Sequence, residues 1–460
     1  MKYTATIDQV LAQARRVHFI GIGGAGMCPL AEILHAEGCE VSGSDINESE
    51  TLSRVRALGI AVQMGQRAEN VAGAEMVVYT AALSHDNPEL VAAKQAGIPT
   101  FERAKLLGAV TRRCGNCVCV CGTHGKTTTA SMLAQIMLTA QMHPTAVIGG
   151  RLQGSNSNAL IGSGEHMVCE ACEFQDSFLQ LSPDVAVILN VDEDHMEYFK
   201  TLDNLVASFR KFASMSAKAV ICNGDDPNSL RALEGANVKR LIRFGRSEDN
   251  EFRAVNITLD GAFPSYDLLY RNELLTRIRL FVPGEHNVLN SLAAAAAAMF
   301  SGASILDCEF GLAAFRGAGR RFEVLGTYRG VTLADDYAHH PKELEACLGA
   351  AKQMPYGRVW AVFQPFTFSR TALLLDDFAR ALSIADRVVL TKIMGAREVN
   401  TYGVTAAQLA EKLPGSAWFE EFEQAADYVA ANARAGDLVL TLGCGDIYKA
   451  GKMMIERLGG

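Results

Sequence analysis

Short apolar runs alternate with stretches of helical spacing along most of this chain. The run at residues 17–20 reads as a strand and breaks into a glycine turn. CPLAEILHAEG follows with helical spacing and ends at Gly38, a residue suited to a helix C-terminus. EVSGSD is a second strand ending at Asp45, and a helix follows at residues 49–58. A strand in MVVYTAAL, a helix near residues 88–97 and a short strand in IPTFER complete the region. This alternation predicts a parallel sheet covered by helices, closing near Arg103.

A second unit opens with CVCVCG and a helix at residues 126–140. MVCEACE, VAVILNV and AVICNG are continuous apolar runs, the pattern of strands buried on both faces. Residues 253–282 alternate instead, which predicts antiparallel strands in an accessory sheet. NVLNSLAAAAAAMFSG has strong helix propensity. From Gly317 the strand–helix alternation resumes through GVTLADD, RVWAVF, RVVLTKI and DLVLTLG. The expected fold is α/β in three domains, residues 1–103, 104–316 and 317–460.

The length of 460 residues agrees with several domains. A net charge of −8 argues against broad nucleic-acid binding, which needs clustered Lys and Arg. The opening stretch lacks the apolar segment of a signal peptide. The longest apolar run, residues 292–300, falls far short of the roughly 20 that span a bilayer. Twelve cysteines scattered among strands and helices suit a reducing cytoplasm better than a secreted disulfide framework.

GIGGAG at residues 21–26 matches G-x-G-x-x-G between a strand and a helix. Gly21 permits the tight turn, Gly23 lets the backbone approach a diphosphate, and Gly26 lets the helix pack closely. Asp45, 19 residues past Gly26, is placed to take a ribose or sugar hydroxyl. The pattern predicts a diphosphate ligand without choosing between NAD and another diphosphate. An NAD-dependent oxidoreductase is one reading, and it leaves the next motif unexplained.

That motif is GTHGKT at residues 122–127, between a buried strand and a helix. In such a loop backbone N–H groups wrap phosphates, Lys126 neutralises their charge and the Thr127 hydroxyl takes Mg²⁺. Only Thr123 and His124 separate its glycines, where the usual loop has four residues. Downstream, Glu170, Glu173, Asp192, Asp194 and His195 cluster at strand ends, where an α/β sheet binds ligands and where oxygen donors suit Mg²⁺. Residues 335–341, DDYAHHP, form a polar loop after another apolar strand, better suited to substrate than to zinc.

The cysteines raise a rival reading. Cys114 with Cys117 and Cys169 with Cys172 have zinc-knuckle spacing. A knuckle needs a tight turn between its cysteines, whereas CVCVC alternates like a strand. The sulfurs are therefore expected to act as small packing groups. By the same alternation Cys169, Ala171 and Glu173 should share one face and Glu170 and Cys172 the other.

HFIGIGGAGM, SGSD, GTHGKTTT, ILNVDEDHMEYF, PGEHNVLNSLAA, GAGRRFE, DDYAHHP and FQPFTFSRT occur in this order over nearly the whole chain. Together they resemble the Mur ligases of peptidoglycan synthesis. The resemblance implies a Rossmann-like UDP-binding domain, a P-loop ATPase-like domain with a mostly parallel sheet, and a Rossmann-like C-terminal domain. It implies ATP-dependent joining of L-alanine to the lactyl carboxylate of UDP-N-acetylmuramate, with Mg²⁺, by a cytoplasmic monomer or weak homodimer. The nearest alternative joins a preformed tripeptide to the same UDP-sugar.

By residue, the resemblance puts the UDP-sugar on Gly21, Gly23, Gly24, Ala25, Gly26, Met27, Ser44 and Asp45. It puts ATP on Gly122, Thr123, Gly125, Lys126, Thr127, Thr128, His286, Asn290, Arg320 and Asp336. It puts Mg²⁺ on Thr127, Glu170 and His195, and the amino acid on Tyr337, His339 and Arg370. Lys126, His195 and Arg320 carry the catalytic charge, and His339 is the candidate base. Two departures stand out. Phe366 and Thr367 replace a histidine and an arginine found in other members, and EACEF replaces a more acidic EADES.

Overall fold

The computed structural model describes residues 6–81, 83–152, 157–163, 165–396 and 398–459. Among the described residues it contains three sheets, and the chain divides into two compact units. One unit holds Met1–Val255, Asp267–Thr276 and Asn290–Ala314; the other holds Asn256–Tyr266, Arg277–Leu289 and Phe315–Gly460. Among the described residues no helix is long and apolar enough to cross a membrane.

The first sheet runs Ala61–Met64, Glu40–Asp45, Arg16–Ile20, Met76–Tyr79, Thr100–Glu102, all parallel. Arg16–Ile20 lies in the middle; the chain runs from it to Glu40–Asp45 and Ala61–Met64 on one side, then crosses back to Met76–Tyr79 on the other. That is the switch point where open α/β sheets bind ligands at the carboxyl ends of their strands. Ile20 pairs with Ser44 and, on its other side, with Tyr79, so the glycine turn emerges between them. The edge strand Ala61–Met64 has no counterpart in the sequence reading, because AVQM offers no continuous apolar run.

The second sheet has ten strands. Its parallel part runs Leu241–Gly245, Ala219–Asn223, Val185–Ile188, Asn116–Cys121, His166–Glu170, Thr145–Val147, and Ala159–Leu160 adds antiparallel at one edge. Phe252–Asp260, Phe263–Tyr270 and Glu273–Arg279 continue it at the other end. The last three are joined by two-residue turns and so run antiparallel. They extend the central sheet, which corrects the expected separate accessory sheet. Phe252–Asp260 pairs parallel with Leu241–Gly245, and that pairing provides the join.

The cysteine strands are sheet neighbours. Cys119 pairs with Cys169, and Cys117, Cys119, Cys121 and Cys169 are fully buried. The Cys117 and Cys119 sulfurs lie 3.6 Å apart, within a core shared with Met167, Ile188 and Cys222. Burial pushes the Cys121 and Cys222 thiols up, which keeps them protonated and apolar in character. One expectation fails here. The strand stops at Glu170, so the alternation does not carry on to Cys172 and Glu173. The chain turns instead into a helical stretch at Phe174–Gln180, with Gln175 and Asp176 in the left-handed region at φ 52° and 57°. Cys172 is left exposed, while Glu173 is buried.

The third sheet runs Glu323–Tyr328, Val331–Asp336, Leu438–Leu442, Val359–Phe363, Arg387–Thr391, Ala417–Phe419. The first pair is antiparallel and the rest are parallel. Asp336 and Phe363 both pair with Leu442. The loops after these three strands therefore leave from one edge together.

Candidate active site

The glycine turn is held by Ser44 and Asp45. The Ser44 carbonyl accepts from the Gly21 and Ile22 amides at 2.8 and 3.0 Å. Asp45 accepts from the Gly23 amide at 2.9 Å, and from the amides of Ile46 and Asn47. A Cβ on Gly23 would stand 2.9 Å from the Asp45 carboxylate, so only glycine fits this turn. The Gly24 amide donates to Gly21, the Met27 amide donates to Gly24, and the helix Cys28–Ala36 follows. Met27 itself is buried.

The Ser44 hydroxyl points inward, donating to Glu89 at 2.7 Å. Glu89 also takes Asn70 and contacts His18 at 3.3 Å, all beneath the turn. These hydrogen bonds outweigh burial and hold the Glu89 carboxyl below its ordinary value. Glu89 escaped the sequence reading, since DNPELV resembles any helix start.

The phosphate loop follows Asn116–Cys121. Thr123 exchanges hydrogen bonds with the Asp192 backbone, and the His124 amide donates to Asn190 at 2.8 Å. Gly125 is left-handed at φ 86° and caps the helix Lys126–Thr139, with Thr128 in its first turn. The Lys126 ammonium donates to the carbonyls of Gly122 and Thr123 at 2.6 and 3.2 Å. It pairs with Glu173 at 3.0 Å, and that charge outweighs burial in pushing Lys126 up. The Thr127 hydroxyl lies 3.0 Å from each Glu170 oxygen, and the Gly149 amide donates to Glu170 at 2.6 Å. Asn290 abuts Gly125. His286, exposed, begins the same helix one turn earlier.

Thr127, Glu170, Lys126 and Asn290 are thus gathered around one loop. His195 is not part of that contact set. Its ring lies 4.8 Å from Phe174, and its nitrogens lie 3.8 Å from Asp194 and 3.5 Å from Glu197. Phe174, the aromatic of EACEF, thus packs against His195. Among the described residues no three His, Cys, Asp or Glu side chains form a metal-holding group. The oxygen donors of Thr127 and Glu170, already in contact, are of the kind Mg²⁺ takes.

A cavity of about 260 Å³ opens beside Glu170. Its walls include Ala25, Gly26, Arg103, Gly149, Glu170 and Cys172. The sequence reading had used Arg103 only as a domain boundary.

In the second unit Arg320 holds a left-handed backbone at φ 59°. Its guanidinium pairs with Asp335 at 2.7 Å and donates to the carbonyls of Gly443 and Gly445 at 2.6 and 3.2 Å. It lies 5.0 Å from the centre of the Tyr337 ring. His339 Nδ1 faces two acceptors, the Tyr337 carbonyl at 3.0 Å and Glu343 at 3.2 Å. The ring proton therefore sits on Nδ1 and leaves Nε2 as a base. Phe366 stands edge-on to His339, 6.3 Å between centroids. The Thr367 hydroxyl caps Phe368–Leu373 by accepting from the Arg370 amide. Phe366 and Thr367 thus have local roles, one packing against the histidine and one starting the helix that carries Arg370.

Asp336 accepts from the amides of Phe322 and Ala338, both at 2.7 Å. Burial nevertheless pushes its carboxyl up to about 6, opposed by Arg321. A folded value above the unfolded one stabilises at low pH, and the contribution fades as pH rises through about 6. Between pH 5 and pH 7.5 the wild type should lose roughly 1–2 kcal/mol relative to Asp336→Asn. Urea unfolding of both proteins at the two pH values checks this; parallel behaviour would refute it.

Comparison with known sequences agrees with the layout. The Mur ligase family catalytic domain matches residues 16–114, the Mur ligase middle domain 120–298, and the Mur ligase glutamate ligase domain 320–445. The chain belongs to the Mur ligase family. Within it, UDP-N-acetylmuramate–L-alanine ligase of Caldanaerobacter subterraneus is 41% identical over 97% of this chain and 98% of its own length. The protein of that name from Acetivibrio thermocellus is 43% identical over 96% of each. The crystal structure of UDP-N-acetylmuramate–alanine ligase from Thermotoga maritima superposes with a TM-score of 0.83 at 27% identity, over 96% of this chain and 98% of that one.

Proposed function

We propose that this chain joins L-alanine to the lactyl carboxylate of UDP-N-acetylmuramate, driven by ATP, in peptidoglycan precursor synthesis. Relatives of that name at 41–43% identity over nearly the full length support the reading. The observation that carries it is the phosphate loop itself, with Lys126 over the Gly122 carbonyl and paired to Glu173, and Thr127 against Glu170. On this reading the glycine turn takes the diphosphate of a UDP-sugar, and NAD has no role.

The division of labour follows. Residues 1–103 hold the UDP-sugar, 104–316 the nucleotide and 317–460 the amino acid. The enzyme works in the cytoplasm as a monomer or weak homodimer. A carboxylate oxygen attacks the γ-phosphorus of ATP; the new O–P bond replaces the bond to ADP. The alanine nitrogen then attacks the activated carbonyl carbon, phosphate leaves, and the amine sheds a proton. The protein's part is positioning and charge neutralisation. Lys126 and Arg320 meet spreading phosphate charge, and Nε2 of His339 takes the amine proton. Tyr337 and Arg370 hold the amino acid, and His286, Asn290 and Asp336 complete the nucleotide contacts. Thr127 and Glu170, with His195 brought to them, would hold Mg²⁺, and the ion would supply further positive charge to the phosphates.

The test is product analysis by mass spectrometry with UDP-N-acetylmuramate, ATP and Mg²⁺, offering L-alanine or the peptidoglycan tripeptide. The expected product carries one alanine, with equimolar phosphate release. Product from the tripeptide alone would assign the chain to the sister reaction and end this reading.

A further inference from the structure

We infer that Arg103 is an anion-binding residue for the UDP-sugar, its guanidinium reserved for a negatively charged group of that substrate. The inference rests on the substrate reading above. Arg103 opens the helix Arg103–Arg112, directly after the edge strand Thr100–Glu102. It leans on the third glycine of the turn. A Cβ on Gly26 would stand 2.9 Å from its Cδ and 3.2 Å from one terminal nitrogen. Gly26 therefore does more than admit a helix. Its missing side chain makes room for a cation.

Arg103 is half-buried on the wall of the 260 Å³ cavity, yet among the described residues no carboxylate, carbonyl or ring engages it. Its neighbours behave differently. Arg112 and Arg113, at the other end of the same helix and more open to water, pair with Asp8 at 2.9 Å and Glu37 at 2.8 Å. A sheltered cation without a partner is costly and is normally compensated. Glu170 lines the same cavity but is committed to Thr127 and Gly149. Opposite charges thus share the cavity without contact, with room for a ligand beside both.

The UDP-sugar carries two kinds of anion, a diphosphate and a carboxylate. The planar fork of arginine suits either, through two parallel N–H donors, whereas lysine offers a point charge. Dissociation constants for UDP-N-acetylmuramate, measured by calorimetry, should rise about 10- to 100-fold in Arg103→Gln. Arg103→Lys should recover part of the loss. The KM for ATP should stay within two-fold, a split that general unfolding would not produce. UDP-N-acetylglucosamine, which keeps the diphosphate but lacks the lactyl carboxylate, separates the sources. Equal weakening for both sugars assigns Arg103 to the diphosphate; weakening for UDP-N-acetylmuramate alone assigns it to the carboxylate. An unchanged dissociation constant for UDP-N-acetylmuramate in a folded Arg103→Gln would overturn the inference. Failure of the wild type to bind that sugar would instead strike the substrate reading.

Discussion

Lys126→Ala should lower the ligation rate about a thousand-fold while leaving UDP-sugar binding within two-fold. The ammonium sits over the phosphate loop, tied to the Gly122 and Thr123 carbonyls and to Glu173. Nothing else in that loop carries positive charge in such a place, so the γ-phosphate would lose its main protein counter-charge. The variant has a second consequence. Glu173 is 1% exposed, and removing its cation leaves a buried carboxylate alone. Such an orphaned charge costs about 3–5 kcal/mol. Adding Glu173→Gln should return most of the stability and none of the rate. Phosphate release and urea unfolding on the single and double variants separate the two effects. More than a tenth of wild-type turnover in Lys126→Ala would remove this lysine from the chemistry.

Arg320→Ala is expected to be the most damaging single change in the second unit. Asp335 is 2% exposed and takes its charge partner from Arg320 at 2.7 Å. The Gly443 and Gly445 carbonyls lose their donors in the same step. The loss should reach about 3–5 kcal/mol, read as a lower urea midpoint. Placing Asp335→Asn on top should recover part of it by removing the stranded charge, since Thr441 still bonds this side chain. A midpoint unchanged by Arg320→Ala would show that Asp335 finds another partner. The residue therefore has two duties, tying the loops of its own sheet and presenting positive charge. Activity and stability must be measured together to apportion them.

What could be read from the chain alone was local. The glycine turn, the phosphate loop and most helix starts depend on residues within a few positions of one another. The central strands were legible because each is a continuous apolar run. Of the strands that escaped, Ala61–Met64, Ala159–Leu160, Glu323–Tyr328 and Ala417–Phe419 lie at sheet edges, while Thr145–Val147 and Leu241–Gly245 lie inside the central sheet, one only three residues long and the other interrupted by Arg243. Edge strands are covered on fewer sides and carry mixed residues, so their pattern fades into that of loops. The candidate site split along the same line. Lys126, Thr127 and Asp45 are motif residues. Arg103, Glu89 and Glu173 matter through neighbours far away in the chain. Arg103 meets Gly26, Glu89 meets Ser44, and Glu173 meets Lys126. No spacing rule connects those pairs; only the sheet order brings them together.

Of the twelve cysteines, eleven are buried or half-buried, and Cys172 alone is exposed, on the wall of the cavity that Glu170 also lines. Desolvation and the nearby Glu173 push its thiol up to about 11, so a covalent modifier must be held in the cavity before this sulfur reacts. An electrophile shaped for that cavity meets a single thiol beside the phosphate loop, while the sulfurs of the central sheet are sheltered by the fold.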